Sequence, residues 1–380
     1  MDQHQATAAG AAPPSASRPA GRPHRVLAFG RGDMGAGPYN VRFYDALEAL
    51  GHEAHEARPS GGWLLRRARS YDAVHLHWPS LLYARPTRAA SLRAFATFVA
   101  ALEAMRRAGT HLLWTVHNIM PHERCVVPAL DVLMRRYLVR VASRFFVHGP
   151  NCEAEALAAF PAMAGRVSRI AFGHWTGAFP DAITREAARA RLGLAPGDFA
   201  FLFAGQCRPY KNIEGLVRAV ASLPAPARLV VAGRFVDPAL ERAVRAAAAE
   251  AGEGRVVLHA RYIPDDEMQV YLRGCDAVAA AYTEVLTSGT TVLAGTFGRP
   301  IVAPARGFLK DFTTPETAVL YDPADPDGLR GALLRAMGTR FDEARIAAHA
   351  RSHTWEDSAR AFVSALPPPR ADLRPVPAGG

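Results

Sequence analysis

The sequence predicts an α/β protein made of two doubly wound, parallel-sheet domains that face each other across a cleft. Three observations lead there. Short apolar runs alternate with helix-length amphipathic segments in both halves, the pattern of parallel strands joined by crossover helices. At 380 residues the chain is long enough for two domains with separate cores. Between the halves, "AFGHWTGAFPDAITREAARARLGLAPGD" has the Gly and Pro content of a linker.

In the first half, "RVLAFG" (25–30) reads as a strand, and "GPYNVRFYDALEALG" as a helix closing on Gly51. "DAVHLHW" (72–78), "HLLWTVHN" (111–118) and "RFFVHG" (144–149) follow as strands. Helices are expected between them over "AASLRAFATFVAALEAMRRAG" and "LDVLMRRYLVRVA". The second half repeats the alternation with strands at 199–205, 228–233, 255–260, 277–282, 300–304 and 318–322, then a helix near 327–337. These segments set a first domain over 24–180, a second over 195–345, and a terminal helix over 346–366. Residues 1–23 lack the apolar stretch of a signal peptide and read as a disordered leader. The Pro-rich stretch 367–380 reads as a disordered tail.

Composition narrows the function classes. Hydrophobic residues at 49% and charged residues at 21% are the proportions of a soluble globular protein. A net charge of +10 suits nucleic acid, anionic lipid or a phosphorylated substrate, and equally fits codon bias in an Arg-, Ala- and Gly-heavy chain. Nucleic acid is disfavoured, because the arginines are dispersed and no aromatic-plus-basic module or zinc spacing accompanies them. Cys125, Cys152, Cys207 and Cys275 are scattered without CxxC spacing, as expected of reduced thiols in a cytoplasmic protein. No run of about 18 apolar residues marks a bilayer span.

The chain holds two lysines, Lys211 and Lys310, against a large excess of arginine. Lys211 stands in "FAFLFAGQCRPYKNIEGL", where a strand ending at Gly205 passes through a short loop into a helix opening near Asn212. Backbone amides and the positive end of the helix dipole adjoin such a loop. Lys211 adds a compact charge suited to phosphate, and Arg208 a fork for a second phosphate oxygen. Two solvated loop cations are the competing reading.

A second loop, "YTEVLTSGTTVLAGTFGRPIVAP" (282–304), carries Glu284 and then "TSGTT" at a helix start. Ser288, Gly289 and Thr290 there offer N–H and hydroxyl donors to an anion, and Gly289 permits close approach of a diphosphate. An ordinary Ser/Thr helix cap explains the same residues.

Two anion-binding helix starts at strand ends of one domain are far more specific than either alone. In these features the sequence resembles the GT-B glycosyltransferases, closest to the family 4 or group 1 type. The resemblance covers most of 199–365 and is looser over 24–180. It implies two facing Rossmann-like domains, the second of which grips the diphosphate of a nucleotide sugar. Lys211 stands at the family's lysine position, and "FGRPIVAP" resembles its G-x-P-V-V-A strand entry. "HTWEDSARAFVSAL" (353–366) resembles the terminal helix that crosses back onto the first domain. The expected donor-binding set is Arg208, Lys211, Asn212, Tyr262, Glu284, Ser288, Gly289 and Thr290, with Tyr262 in "ARYIPDD" neighbouring the base by resemblance.

The sequence departs from the family at two places. Gln206 stands where the family usually has Arg, a place Arg208 is positioned to fill. Of the family's paired glutamates, Glu284 lies within one position of the first, while the second falls among Thr291, Val292 and Leu293. The pattern is that of a divergent subfamily.

The first domain supplies the acceptor side. In "WTVHNIMPHE" (114–123), His117 sits at a strand's carboxyl end, and by resemblance a His or acid here contacts the donor sugar near the reacting carbon. Glu123, beside His122, is a candidate base for an acceptor hydroxyl; a surface loop pair is the alternative. Gly35, Gly37, His77 and His174 are the remaining acceptor-side candidates. His75 and His77 share one side of a strand, but no carboxylate or cysteine completes a ligand set with His117, so no metal is expected.

The function expected is transfer of a sugar from a UDP- or GDP-sugar to a saccharide or lipid-linked saccharide, without a metal or other cofactor. "WLLRRARS", "MRRAG" and "MRRYLVR" mix arginines with apolar residues, which suits peripheral contact with an anionic membrane at the inner face and also suits ordinary solvent-facing helices. The rivals are an epimerase or phosphorylase of the same fold and a non-catalytic nucleotide-sugar-binding protein.

Overall fold

The computed structural model describes residues 22–30, 38–57 and 61–376. The first sheet contains β1 (Arg25–Ala28), β2 (Glu53–Glu56), β3 (Ala73–Leu76), β4 (His111–Thr115), β5 (Arg144–Val147) and β6 (Val167–Arg169). The second contains β7 (Phe199–Ala204), β8 (Ala227–Ala232), β9 (Val256–His259), β10 (Ala277–Ala279), β11 (Ile301–Pro304) and β12 (Ala318–Tyr321). All the pairings within these sheets are parallel, in the orders β2-β1-β3-β4-β5-β6 and β12-β11-β10-β7-β8-β9. This is the doubly wound α/β architecture expected from the sequence.

The central strands read as continuous apolar runs because crossover helices cover both faces. From Ala200 to Ala204 every residue of β7 is buried. The helix Ile213–Ala221 meets that sheet through Ile213, Leu216, Val217 and Val220, spaced as one face of a helix demands. Two edge strands escaped the sequence reading. "EAHE" of β2 and "VSR" of β6 are short and polar, so neither gives a strand's apolar signal.

Strand order fixes where ligands can enter. In the second sheet the winding reverses between β7 and β10, and in the first between β1 and β3. Loops leaving adjacent strands at a reversal point run to opposite faces and open a crevice at the carboxyl ends. The loops after β7 and β10 are the two singled out for anion binding.

Three expectations on organisation are corrected. The linker 171–198 includes an ordered helix, Arg185–Arg191, capped by Thr184 Oγ1 accepting from the Ala187 N–H at 3.2 Å. Its buried Arg189 donates to the carbonyls of Gly274 and Asp198, which fastens this stretch to the second sheet. The terminal helix 346–366 is two helices, Glu343–Arg351 and Trp355–Ser364, the second started by Thr354 capping the Asp357 N–H at 3.0 Å. Residues 367–376 of the expected disordered tail are tied to the first sheet. Asp72 accepts the Arg370 N–H at 2.7 Å and the Arg69 carbonyl accepts the Arg374 N–H at 2.9 Å. Pro-rich composition suggested disorder; the partners that hold the segment are remote in sequence. Residues 1–21 of the expected leader lie outside the described residues.

The helix Trp355–Ser364 belongs to the first half by packing. Phe362 lies against Phe43 at 5.2 Å, His75 at 4.7 Å and Phe146 at 4.6 Å between ring centroids.

Candidate active site

The two reversal points face each other and enclose a cavity of about 750 Å³. Its walls come from both halves: Tyr39, Trp78, Arg85, His117 and Glu123 from the first, Gln206, Arg208, Tyr210, Thr287 and Gly289 from the second. Phe172 and Trp175, from the segment joining the sheets, close its floor.

On the second-half side, Gly205 directly follows β7 with φ +115°, a conformation that favours glycine. A Cβ there would stand 3.2 Å from Lys211 Nζ and 3.8 Å from Thr290 Oγ1. Those two distances locate the ammonium group: beneath Gly205, toward the start of the helix Gly289–Thr296. Lys211 is 8% exposed, with its Nζ 5.5 Å from the Phe203 ring centre and 5.6 Å from that of Tyr282. Among the described residues no carboxylate pairs with it.

Arg208, in the same loop, reaches across the cavity to Glu123, with Nη2 2.7 Å from Oε1. Beside that bridge the ring of His122 stacks on Tyr210 with centroids 3.7 Å apart and an 11° interplanar angle. Burial, then the charges of Arg208 and Lys211, lower the His122 pKa to about 4, so the ring is neutral at pH 7.

On the first-half side, His117 is buried but for one edge. Trp78 stacks on it at 4.3 Å, and Tyr39 meets it edge-on at 4.8 Å. Behind it, His77 Nδ1 lies 2.9 Å from His117 Nε2. The Tyr39 hydroxyl donates to His148 Nε2 at 3.2 Å, because His148 Nδ1 is committed to the Ile170 carbonyl at 3.3 Å. The Thr287 hydroxyl donates to the His117 carbonyl at 3.0 Å, joining the loop after β10 to the loop after β4.

The other residues singled out from the sequence are placed as follows. Gly289 lines the cavity, and its carbonyl accepts from Trp175 Nε1 at 3.1 Å. Ser288 is the helix cap of the competing reading: its Oγ accepts the Thr291 N–H at 3.3 Å and the Thr291 hydroxyl at 2.9 Å. Asn212 adopts φ 50° and its carboxamide folds over Gly215, where the lack of a Cβ leaves room for it, and it does not line the cavity. Glu284 is exposed and Tyr262 is 66% exposed; neither lines the cavity.

His77 is buried behind His117 rather than open to an acceptor: its Nδ1 is paired with His117, and Trp78 and His117 form the cavity wall in front of it. His174 lies apart from the cavity; its amide donates to the His353 carbonyl and its carbonyl accepts from Trp355 Nε1. Gly35 and Gly37 fall outside the described residues. Sequence reasoning missed Tyr39, Trp78, Arg85 and Trp175. The signal available for Trp78 was its place just past the end of β3, at the reversal point.

Residues 184–353 match the family model described as glycosyl transferases group 1. Those residues carry a group 1 glycosyltransferase domain. A GDP-mannose:glycolipid 4-beta-D-mannosyltransferase from Xanthomonas campestris pv. campestris is 27% identical over 75% of this chain and 75% of its own length. A D-inositol 3-phosphate glycosyltransferase of Streptomyces scabiei is 29% identical over 86% of this chain and 74% of its own. Among solved structures, Anabaena HepE in complex with UDP and glucose aligns with TM-score 0.65 at 16% identity, over 90% of this chain and 99% of that one. Sucrose-phosphate synthase from Thermosynechococcus elongatus aligns with TM-score 0.64 at 20% identity, over 90% and 98% of the two chains. These likenesses identify the two sheets of this glycosyltransferase as the GT-B fold.

Proposed function

We propose that this glycosyltransferase takes a sugar from a GDP- or UDP-sugar and passes it to a saccharide carried on a lipid, holding the donor diphosphate between the loops after β7 and β10. The observation that carries the reading is the setting of Lys211. A buried cation is costly unless paired, and an anion seated between Gly205 and Thr290 would supply the missing partner. When the bond from sugar to diphosphate breaks, negative charge grows on the diphosphate. Lys211, Arg208 and the Gly289 and Thr290 amides, which open the helix Gly289–Thr296, stand where that charge develops in this reading, which is how preorganised donors lower a barrier. In this reading they carry the charge without a metal ion.

Glu123 has two successive roles here. In the empty cleft it neutralises Arg208. An arriving diphosphate competes for that guanidinium and frees the carboxylate on the acceptor side, where it is placed to take the proton of an acceptor hydroxyl. Tyr262 and Glu284, both exposed on loops of the second half, are reserved for the nucleoside.

Two features support a lipid-borne acceptor. The Xanthomonas relative is named for a glycolipid acceptor and a GDP-linked donor. Leu65, Leu81, Leu92 and Leu133 in the first half are 50%, 44%, 51% and 47% exposed, and Arg66, Arg85, Arg93 and Arg135 lie within four residues of them in sequence. Such a surface suits peripheral contact with anionic lipid. Among the described residues no helix is long and apolar enough to cross a membrane.

Thermal shifts with GDP, UDP and their common sugars test the donor site. A true ligand at 100 times its Kd stabilises by about 2.7 kcal/mol, and silence from every nucleotide would end the proposal. Release of nucleoside diphosphate that requires an acceptor separates transfer from epimerase or phosphorylase chemistry. Sedimentation with anionic vesicles, reversed by salt, tests the membrane contact.

A further inference from the structure

Behind His117 runs a chain of buried hydrogen bonds. Thr115 Oγ1 lies 2.8 Å from His75 Nε2, and His75 Nδ1 lies 2.9 Å from the Tyr44 hydroxyl. That hydroxyl is also 2.9 Å from His77 Nε2, and His77 Nδ1 is 2.9 Å from His117 Nε2. All five side chains are buried, and His117 is the member that reaches the cavity. Burial first, then neighbouring histidines, push the pKa values of His75, His77 and His117 well down, so all three rings are neutral. A neutral imidazole has one donor and one acceptor nitrogen. A direction chosen at one end of the chain therefore passes to the other.

Thr115 chooses it. Its side chain is fully buried in β4, and among the described residues its hydroxyl meets His75 Nε2. A buried donor without an acceptor is rarer, and worse, than a carbonyl or hydroxyl oxygen with a spare lone pair. Thr115 thus donates to His75 Nε2, and His75 donates through Nδ1–H to Tyr44. Tyr44 donates in turn to His77 Nε2, and His77 Nδ1–H donates to His117 Nε2. The proton of His117 is then on Nδ1, which has no protein partner among the described residues.

We propose that this relay locks His117 into its Nδ1–H tautomer, so that it meets a ligand oxygen as a hydrogen-bond donor and does not serve as the base. Thr115, His75, Tyr44 and His77 are positioning residues that act through it. The matching acceptor is a hydroxyl or phosphate oxygen of the donor substrate; this clause rests on the donor-site reading, whereas the tautomer does not. It also leaves proton removal from the acceptor to Glu123 or to the departing phosphate.

The test reads the tautomer in the ligand-free full chain carrying isotope-labelled histidine. Heteronuclear spectra report which ring nitrogen bears the proton, with His117 assigned by the signals lost in His117→Asn. The expected result is a single Nδ1–H form that becomes a mixture in Thr115→Val and returns in Thr115→Ser. Loss of this one buried hydrogen bond should lower kcat/KM by about tenfold in Thr115→Val, with recovery in Thr115→Ser. Should Thr115→Val fail to fold, Tyr44→Phe breaks the same chain at its midpoint and is read in the same way. An Nε2–H form in the wild type overturns the proposal. So does an unaltered His117 tautomer in the Val or Phe variant. The expected tautomer in a protein that binds no nucleotide sugar supports the relay and overturns the donor site.

Discussion

Arg208 and Glu123 join the two halves of the molecule across the cavity, guanidinium to carboxylate, at 2.7 Å. The carboxylate occupies a position on Arg208 that a phosphate oxygen would also take, since both are planar or tetrahedral anions suited to the same fork. Glu123→Gln removes that competition. The side chain of Glu123 is 66% exposed, and an exposed ion pair contributes about 0.2–1 kcal/mol. GDP or UDP should therefore bind more tightly to the variant, by about 1.4- to fivefold, measured by calorimetry. Weaker binding would show that Glu123 assists the nucleotide instead of excluding it.

Lys211→Ala should lower kcat by about 10²–10³, the loss typical of one preorganised donor. Lys211→Arg should not restore it. The ammonium fits between Gly205 and the rings of Phe203 and Tyr282, and a planar guanidinium is larger and differently shaped. Steady-state kinetics with the donor identified by thermal shift decide the point. Turnover near wild type in the alanine variant would remove Lys211 from the mechanism.

The Lys211 loop was legible because two rare signals coincide there: a glycine closing an apolar run, and one of two lysines in an arginine-rich chain. The sheets were legible wherever a strand is buried on both faces, as in β7, and not where a strand sits polar at an edge, as in β2 and β6. Partnerships were not legible. Glu123 and Arg208 lie on different sheets, and only their docking brings them together. The i, i+2 spacing placed His75 and His77 on one face of a strand, yet Tyr44, which links them, arrives from a helix. The tail at 367–376 was misread for the same reason, because Asp72 and Arg69 are remote in sequence.

Acid should destabilise the protein earlier than its carboxylates alone would require. His122 and His148 each have a pKa lowered from 6.5 to about 4, principally by burial. Between those values the unfolded chain binds protons that the folded chain refuses, so stability is complete above pH 6.5 and falls as pH drops toward 4. For the buried His148 the loss approaches about 1.4 kcal/mol per pH unit inside that window. Calorimetric Tm values should decline across it, and His122→Gln should make the decline shallower. A Tm that holds constant down to the carboxylate range would contradict the burial of these rings.

Asp311 fastens the second half to a helix of the first. Its carboxylate accepts the N–H groups of Asn151 at 3.0 Å and Cys152 at 3.1 Å, the first amides of the helix Pro150–Ala159. An anion at a helix start satisfies orphan donors and the dipole together. The close approach depends on Gly149, whose φ is +148° and whose added Cβ would lie 2.4 Å from Asp311 Oδ2. Asp311→Asn should cost about 1–2 kcal/mol, the range for losing a helix cap with its charge. Gly149→Ala should cost more, because it drives the halves apart as well as straining the backbone. Thermal unfolding measures both, and small-angle scattering of Gly149→Ala should show a larger radius of gyration. Equal Tm values for wild type and both variants would mean that the junction contributes nothing to holding the halves together.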